Sequence, residues 1–342
     1  MDYKVTLAMP VYNVEKYVER ALLSALNQTF DSIEFLIVDD KGTDRSMEIV
    51  NEIVSTHPRG KDVRIIDHVV NQGTGATKNS AIREARGEYL FFMDSDDEIT
   101  PNCIQLLYDN IVKYSVDFVA SSYVRKYMSG EVISSHCYVP SICKSTTKSI
   151  ADYVYGENLE IHTPTWNKLY TLHFLREMDI ECIPKHLNED IYFTFQVKLK
   201  AASCVLIPDI TYYYYVIPNS ITDISNFSKE KVLSIANQNR EILSLKRNFI
   251  KKYENKYWYS ALVTSILIEA YYFSFILLSS NIENRKEYII NMLRFPINFK
   301  ILRKIGTLRL YFYFVLSCLP YQLKISFIKL LYKYKKTKNN ID

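Results

Sequence analysis

Over its first 120 residues the chain alternates short apolar runs with stretches of helical periodicity. The apolar runs are 4-KVTLAM-9, 33-IEFLIVD-39, 63-VRIID-67, 89-YLFFMD-94 and 117-DFVAS-121. Between them, 14-VEKYVERALLSAL-26, 44-DRSMEIVNEIVS-55, 76-ATKNSAIREA-85 and 101-PNCIQLLYDNIVKY-114 carry apolar residues three and four apart, and Pro101 suits the start of a helix. Strands that are apolar throughout must be covered on both faces, so the expected class is α/β, a mainly parallel sheet flanked by helices. In such sheets ligands bind beyond the carboxyl ends of the strands.

Two acidic groups fall at those ends. Asp39-Asp40 closes the second run, and Asp94-Ser95-Asp96, followed by Asp97 and Glu98, closes the fourth. Carboxylates this close repel, so something must compensate them. Two carboxylates on a tight loop suit one hard divalent cation, which could in turn neutralise a diphosphate. A bare D-x-D is more often a solvated turn; its place after a buried strand, beside a second acidic strand end, favours a metal.

The glycines of 71-NQGTGATKN-79 fit neither G-x-G-x-x-G nor G-x-x-x-x-G-K-[ST]. What remains is a glycine-bearing turn at a helix N-terminus, with Lys78 placed to meet a phosphate. The six cysteines show no C-x-x-C spacing, which points to reduced thiols rather than a zinc site or disulfide framework. The opening MDYKVTLAMPVYN carries an acid and then a strand, so no export is expected.

Together the segments 8-AMPVYNVEKYVERALLSALNQTF-30, 33-IEFLIVDDKGTDRS-46, 71-NQGTGATKNSAIREARGEYLFFMDSDD-97, 166-WNKLY-170 and 189-ED-190 resemble the inverting family 2 glycosyltransferases of GT-A fold, over roughly residues 4–225. The resemblance implies that Pro10, Tyr12, Asn13, Asp39, Asp40, Lys78, Asp94, Ser95 and Asp96 serve the donor nucleotide. It implies Mn²⁺ or Mg²⁺ on Asp94 and Asp96, and Asp190 as general base. Trp166, Asn167, Lys168 and Glu189 are expected on the acceptor and sugar side. For Trp166 a place in the core is an equal alternative, and His68, His162 and His186 are expected to be satisfied structural histidines. Three departures stand out: Lys41-Gly42 where the family has glycine-serine, Lys78 where it has arginine, and Asn219-Ser220 where it has glycine-serine.

The chain divides by charge. Residues 1–230 carry a net −10 and residues 231–342 a net +14, with 28 tyrosines and 17 phenylalanines in the whole. The expected layout is a catalytic domain over 1–225, its nucleotide-sugar half to about 121 and its acceptor half over 122–225, followed by a basic, aromatic, helical region over 226–342. In 321-YQLKISFIKLLYKYKK-336 a helix would set Leu323, Phe327, Leu330, Leu331 and Tyr334 on one side and Lys329, Lys333 and Lys336 on the other. That pattern suits peripheral attachment to an anionic membrane surface. The run 310–323 is too short to cross a bilayer, and the run 257–282 contains Glu269, so a buried or interfacial helix is expected there. The acidic front half and the interleaved apolar residues argue against nucleic acid as a partner.

The expected function is transfer of one sugar from a nucleotide donor, UDP-linked, to a lipid-linked (polyprenyl diphosphate) oligosaccharide at the cytoplasmic face, in capsule, exopolysaccharide or O-antigen synthesis. Transfer to a polyprenyl phosphate itself, a catalytically weak membrane-bound scaffold subunit, and a sugar-1-phosphate nucleotidyltransferase are the alternatives. The last lacks its long glycine-rich N-terminal signature here.

Overall fold

A computed structural model describes residues 3–217, 228–278 and 284–339, with side chains as far as residue 330. The departure at Asn219-Ser220 and the side chains of Leu331, Lys333, Tyr334 and Lys336 lie outside that description. The chain forms two compact units: Met1–Val154 with Leu159–Thr222, and Tyr155–Asn158 with Asp223–Asp342.

The first unit runs β1 (Val5–Val11), α1 (Val18–Leu26), β2 (Ile33–Asp39), α2 (Ser46–Thr56), β3 (Val63–Asp67), α3 (Thr74–Glu84), β4 (Tyr89–Phe92), β5 (Glu98–Ile99) and α4 (Cys103–Tyr114). It continues with β6 (Phe118–Tyr127), β7 (Val132–His136), β8 (Ser141–Cys143), β9 (Lys168–Thr171), α5 (Leu172–Glu177), α6 (Glu189–Lys200) and β10 (Cys204–Val216). The strands make one sheet in the order β3-β2-β1-β4-β9-β6-β10-β5, with β7 on β6 and β8 on β10.

The alternation in the sequence is realised in β3-β2-β1-β4, which pair in parallel. Every residue of β2 is buried, as an apolar strand between two helical layers requires. The two faces separate by parity. Val5, Leu7, Met9, Phe35 and Ile37 pack with α1, α2 and α4. Ala8, Leu36 and Val38 pack with α3, α5 and α6. Beyond β4 the sheet becomes mixed: β9 enters antiparallel to both β4 and β6, so the expected fifth parallel strand sits one place further out. Because β1, β2 and β4 run the same way, the carboxyl ends carrying Asp39 and Asp94 lie on one edge.

The second unit is helical: α7 (Lys229–Phe249), α8 (Tyr259–Leu278), α9 (Arg285–Met292), α10 (Phe299–Ile305), α11 (Leu308–Cys318) and α12 (Tyr321–Asn339). Among the described residues only α8 is long and apolar enough to cross a membrane. More than half of its apolar stretch is buried, and its Glu269 carboxylate accepts from Lys246 Nζ at 2.7 and 2.8 Å. In α12, Ile328 and Lys324 are buried while Leu323 and Leu330 are exposed, so the helix turns only part of its apolar side inward.

Candidate active site

The acidic loop after β4 is held from three sides. Asp97, fully buried, accepts from Tyr212 Oη at 2.8 Å and from the Tyr215 backbone N–H at 2.9 Å. The Tyr212 hydroxyl in turn accepts from the Asp94 backbone N–H at 3.2 Å, and Arg20 of α1 donates to the Asp96 carbonyl at 2.6 Å. The Arg20 guanidinium lies over Tyr215, 3.8 Å from its ring centre, a cation–π contact that helps place its charge. Sequence reasoning did not assign Arg20, Tyr212 or Asp97 to the site; only Asp97, inside the acidic stretch, left a local signal.

One ligand oxygen each from Asp94, Asp96 and Asp97 falls within 4.8 Å of the others. Burial first, and then the Asp96, Asp190 and Glu189 carboxylates, push Asp94 up to about 7 against the pull of Lys78. Asp96 is also raised, mainly by burial. Each Asp97 oxygen already accepts a hydrogen bond, so among the three the Asp94 and Asp96 carboxylates are the less engaged. These residues fit a hard divalent cation, which oxygen ligands of this kind prefer.

Lys78 is the centre of the site. It projects from α3 with 1% of its side chain exposed, and its Nζ lies 2.9 Å from Glu189 Oε1 and 2.9 Å from Asp190 Oδ1. Burial works against its charge, but Asp190, Glu189 and Asp94 together outweigh burial and raise its pKa well above the ordinary lysine value. The sequence expectation set this ammonium on donor phosphates. Here it is instead committed to the two carboxylates at the start of α6, where acids also suit the helix N-terminus.

The turn before α3 offers no open phosphate loop. Asp40 is buried and its two oxygens accept from the Gln72 and Gly73 backbone N–H groups at 2.8 Å each. Asn71 and His68 complete its shell at 2.9 and 2.7 Å. Asp40 therefore shapes the loop that leads into α3, with both oxygens engaged by it. Gly73 has φ +83, and a side chain there would press on the Lys185 backbone at 3.1 Å. His68 is satisfied as expected, its other ring nitrogen 2.9 Å from Ser80 Oγ.

At the end of β2, Asp39 Oδ1 accepts from the Lys41 backbone N–H at 2.8 Å, and Lys41 Nζ lies 3.3 Å from Asp39 Oδ2. The Lys41-Gly42 departure has a structural meaning. Lys41 takes the left-handed φ of +56 that glycine would adopt freely, while Gly42 lies against Asn13, where a Cβ would stand 2.9 Å from both backbone N and Oδ1. Asn13 Oδ1 accepts from the Thr43 N–H at 2.7 Å, tying the loop after β1 to the loop after β2. Tyr12 is exposed beside it, Pro10 is half-buried at the end of β1, and Ser95 is buried between the two aspartates.

On the other side the sheet engages two of the expected residues. Asn167 Oδ1 accepts from Ser121 Oγ at 3.0 Å and Thr211 Oγ1 at 2.7 Å, while its Nδ2 donates to the Ser121 and Ser122 carbonyls at 2.9 and 3.0 Å. That uses all four of its hydrogen-bonding positions, so it ties β6 to β10 and has nothing left for an acceptor. Trp166 is 5% exposed and stacks on Tyr212, with ring centres 4.4 Å apart and planes at 9°. It is the core tryptophan of the two alternatives. Lys168 is buried, donates to the Pro164 carbonyl, and is pushed down to about 7 by burial, with Asp190 partly restoring it. His186 is buried. His162 differs from the expectation: its Nδ1 has no partner, it stacks on Tyr138 at 4.4 Å, and burial pushes it down to about 4.

A parallel sheet edge with paired aspartates, linked through Lys78 to the acids Glu189 and Asp190, fits the class of nucleotide-sugar transferases with GT-A fold. Residues 6–167, just under half of the chain, match the family described as Glycosyl transferase family 2. The chain is 30% identical over 230 residues to the glycosyltransferase GlyA of Streptococcus pneumoniae, covering 66% of this chain and 32% of that protein. It is 32% identical over 218 residues to a poly(ribitol-phosphate) beta-glucosyltransferase of Bacillus spizizenii, covering 62% of this chain and 32% of that one. The chain thus spans about a third of the length of these relatives. Its fold is similar to that of S. aureus TarS 1-349, solved in complex with UDP-GlcNAc, with TM-score 0.69 at 20% identity over 92% of this chain and 88% of that one.

Proposed function

We propose that the chain is an inverting glycosyltransferase that moves a single sugar from a nucleoside-diphosphate donor, UDP-hexose or UDP-HexNAc, to a lipid-linked oligosaccharide carried on polyprenyl diphosphate. The observation that carries this reading is the Lys78 ammonium, which brings Asp190 and Glu189 into electrostatic reach of Asp94. The TarS complexes with UDP-GlcNAc and UDP support a UDP-linked donor.

In this reading Asp39 and the loop through Tyr12 and Asn13 orient the nucleotide. A divalent ion, Mn²⁺ or Mg²⁺, held by Asp94 and Asp96 would neutralise the charge that grows on the departing diphosphate. Asp190 takes the proton from the acceptor hydroxyl as that oxygen attacks the anomeric carbon; the carbon–oxygen bond to the diphosphate breaks on the opposite face. One displacement inverts the anomeric centre. Lys78 fixes the Asp190 carboxylate, and Glu189 shares that ammonium so that Asp190 is not its sole partner.

The second unit suits attachment to an anionic membrane surface at the cytoplasmic face. Leu308, Phe312 and Val315 stand exposed on one stripe of α11, and Leu323 and Leu330 are exposed on α12. Between Tyr288 and Ile341 the sequence has 11 Lys and Arg and no Asp or Glu. Apolar side chains beside excess positive charge favour an interfacial position over free solution.

The test is a screen of nucleotide sugars against metal-loaded protein, scored by released nucleoside diphosphate and followed by NMR of the product. Release that needs divalent metal, disappears in Asp96→Ala and gives an inverted linkage is the expected result. Release of pyrophosphate, or turnover at the wild-type rate in Asp190→Asn, would refute it. Salt-sensitive flotation with anionic vesicles, without competition by duplex DNA, tests the membrane.

A further inference from the structure

The helical unit contains a cleft of about 890 Å³ between α7 and the turn that follows α9. Its wall on α7 is a stripe three and four residues apart: Asn237, Arg240, Ser244 and Arg247, with Lys251 just beyond the helix end. The opposite wall includes Arg294. The other side of α7, with Val232, Ile235, Ile242 and Leu243, forms its buried face. So α7 keeps an apolar face for packing and a cationic one for the cleft, which packing alone does not require.

The lining holds four cations and one carboxylate, Glu241, a net charge of +3. Among the described residues, no carboxylate lies within ion-pair distance of Arg240, Arg247, Lys251 or Arg294. Arg240 donates to Asn237 and covers the Tyr288 ring, and Lys251 donates to Asn248. Arg247 donates to the Asn291 and Met292 carbonyls, so the end of α9 offsets part of its charge. Its Nε is nevertheless buried without an acceptor, and burial followed by the Arg294 charge pushes its guanidinium down to about 10. Like charges are thus crowded around a concave surface, with guanidinium groups whose forked donors match phosphate oxygens.

We propose that this cleft is a phosphate-binding site, taking a phosphodiester or diphosphate group. The volume is in the range of ligand sites rather than of a single ion, so the phosphate would carry a further group into it. Two sources share this chemistry, a lipid headgroup and a soluble phosphate. The site does not depend on the donor or acceptor assigned above, because none of its residues belongs to the transfer site.

The experiment compares the full chain with Arg240→Gln/Arg294→Gln and with a control, Lys300→Gln/Arg303→Gln, that removes the same charge from α10. Arg247 is left intact because it caps α9. Inorganic pyrophosphate is titrated calorimetrically in EDTA, so that diphosphate binding through Asp94 and Asp96 is silenced. Phosphatidylcholine vesicles with and without phosphatidylglycerol are tested alongside. The expected result is at least a tenfold loss of affinity in the cleft variant and less than a twofold change in the control. Loss for pyrophosphate identifies a soluble phosphate as sufficient; loss for anionic vesicles alone identifies a headgroup. Equal weakening in both variants, or no binding of either probe by the unaltered chain, overturns the proposal, whatever the outcome for sugar transfer.

Discussion

Lys78 Nζ and Asp190 Oδ1 lie 2.9 Å apart, joining the first turns of α3 to the start of α6 across 112 residues of chain. This ammonium compensates the acidic edge from within: it answers Glu189 and Asp190 directly and Asp94 through space. Replacing it by an apolar residue leaves three buried or half-buried carboxylates facing one another.

Lys78→Met should therefore be costly in two ways. Breaking a buried pair by removing one partner costs about 3 kcal/mol or more of unfolding free energy. Chemical denaturation of the metal-free protein measures that, and transfer should fall together with stability. Lys78→Arg keeps a cation for the two acceptors and should lose less stability and less rate than the Met variant. A Met variant as stable as wild type would show that the buried triad is not what holds α6 in place.

Asp190→Asn tests the proton acceptor separately. The amide keeps the shape but cannot take a proton, so the rate should fall by about 10²–10⁴-fold. Binding of UDP in the presence of Mn²⁺, followed calorimetrically, should change less than twofold, since the proposed donor contacts lie on other residues.

Metal binding by Asp94 and Asp96, as proposed, would carry a pH dependence with a definite sign. Asp94 is pushed up to about 7 without metal, so below that pH a proton competes with the cation. Mn²⁺ affinity should weaken as pH falls below 7, by up to about tenfold per unit for one displaced proton. The same shift acts on folding. A carboxyl raised from 3.8 to about 7 gives stability that is present at pH 4 and lost as pH rises to 7. The stability difference between wild type and Asp94→Asn in EDTA should change in wild type's disfavour over that window, and excess Mn²⁺ should restore wild type only.

Trp166 separates a core role from a sugar-stacking one. Its indole lies between Tyr212 and Tyr123, ring centres 4.4 and 4.8 Å away. Trp166→Ala should cost about 3–5 kcal/mol of stability. Trp166→Phe should lose less than half of that and leave the KM for acceptor within about twofold, because the ring serves the sheet. A large KM effect with unchanged stability is the result that would return Trp166 to the substrate.

These contrasts show which parts of the molecule are legible in sequence. The strands β1 and β2 read directly because apolar runs buried on both faces have one packing solution, and parallel pairing then carries Asp39 and Asp94 to one edge. The partners of Asn167 and Trp166 do not read, because Ser121, Thr211 and Tyr212 are more than forty residues away. The family resemblance implies an acceptor-side place for WNKLY but does not say which side chains the sheet consumes. Arg20 is similar: helical periodicity puts it on α1, and only the turn of the acidic loop 76 residues later gives it a partner. Lys78 was visible as a cation near the site, yet its commitment to Glu189 and Asp190 needed the three-dimensional meeting of α3 with α6.

Lys41 provides the last prediction, because it combines a backbone and a charge effect that two variants can separate. Its φ of +56 is a conformation that glycine adopts without strain and a side-chain-bearing residue adopts at a cost of roughly 1 kcal/mol. Lys41→Gly removes that strain and Lys41→Ala keeps it, so the glycine variant should be more stable than the alanine variant by about 0.5–1 kcal/mol, glycine's larger chain entropy on unfolding taking back part of the gain. Both variants lose the ammonium 3.3 Å from Asp39, a side chain 44% exposed, and such an ion pair is worth at most about 1 kcal/mol. If Asp39 contacts the nucleotide base, both variants should lower the donor KM by the same factor, no more than about fivefold. Steady-state kinetics with matched protein folds distinguish the cases: equal KM changes in the two variants locate the effect in the charge, whereas a change in Lys41→Gly alone locates it in the backbone turn.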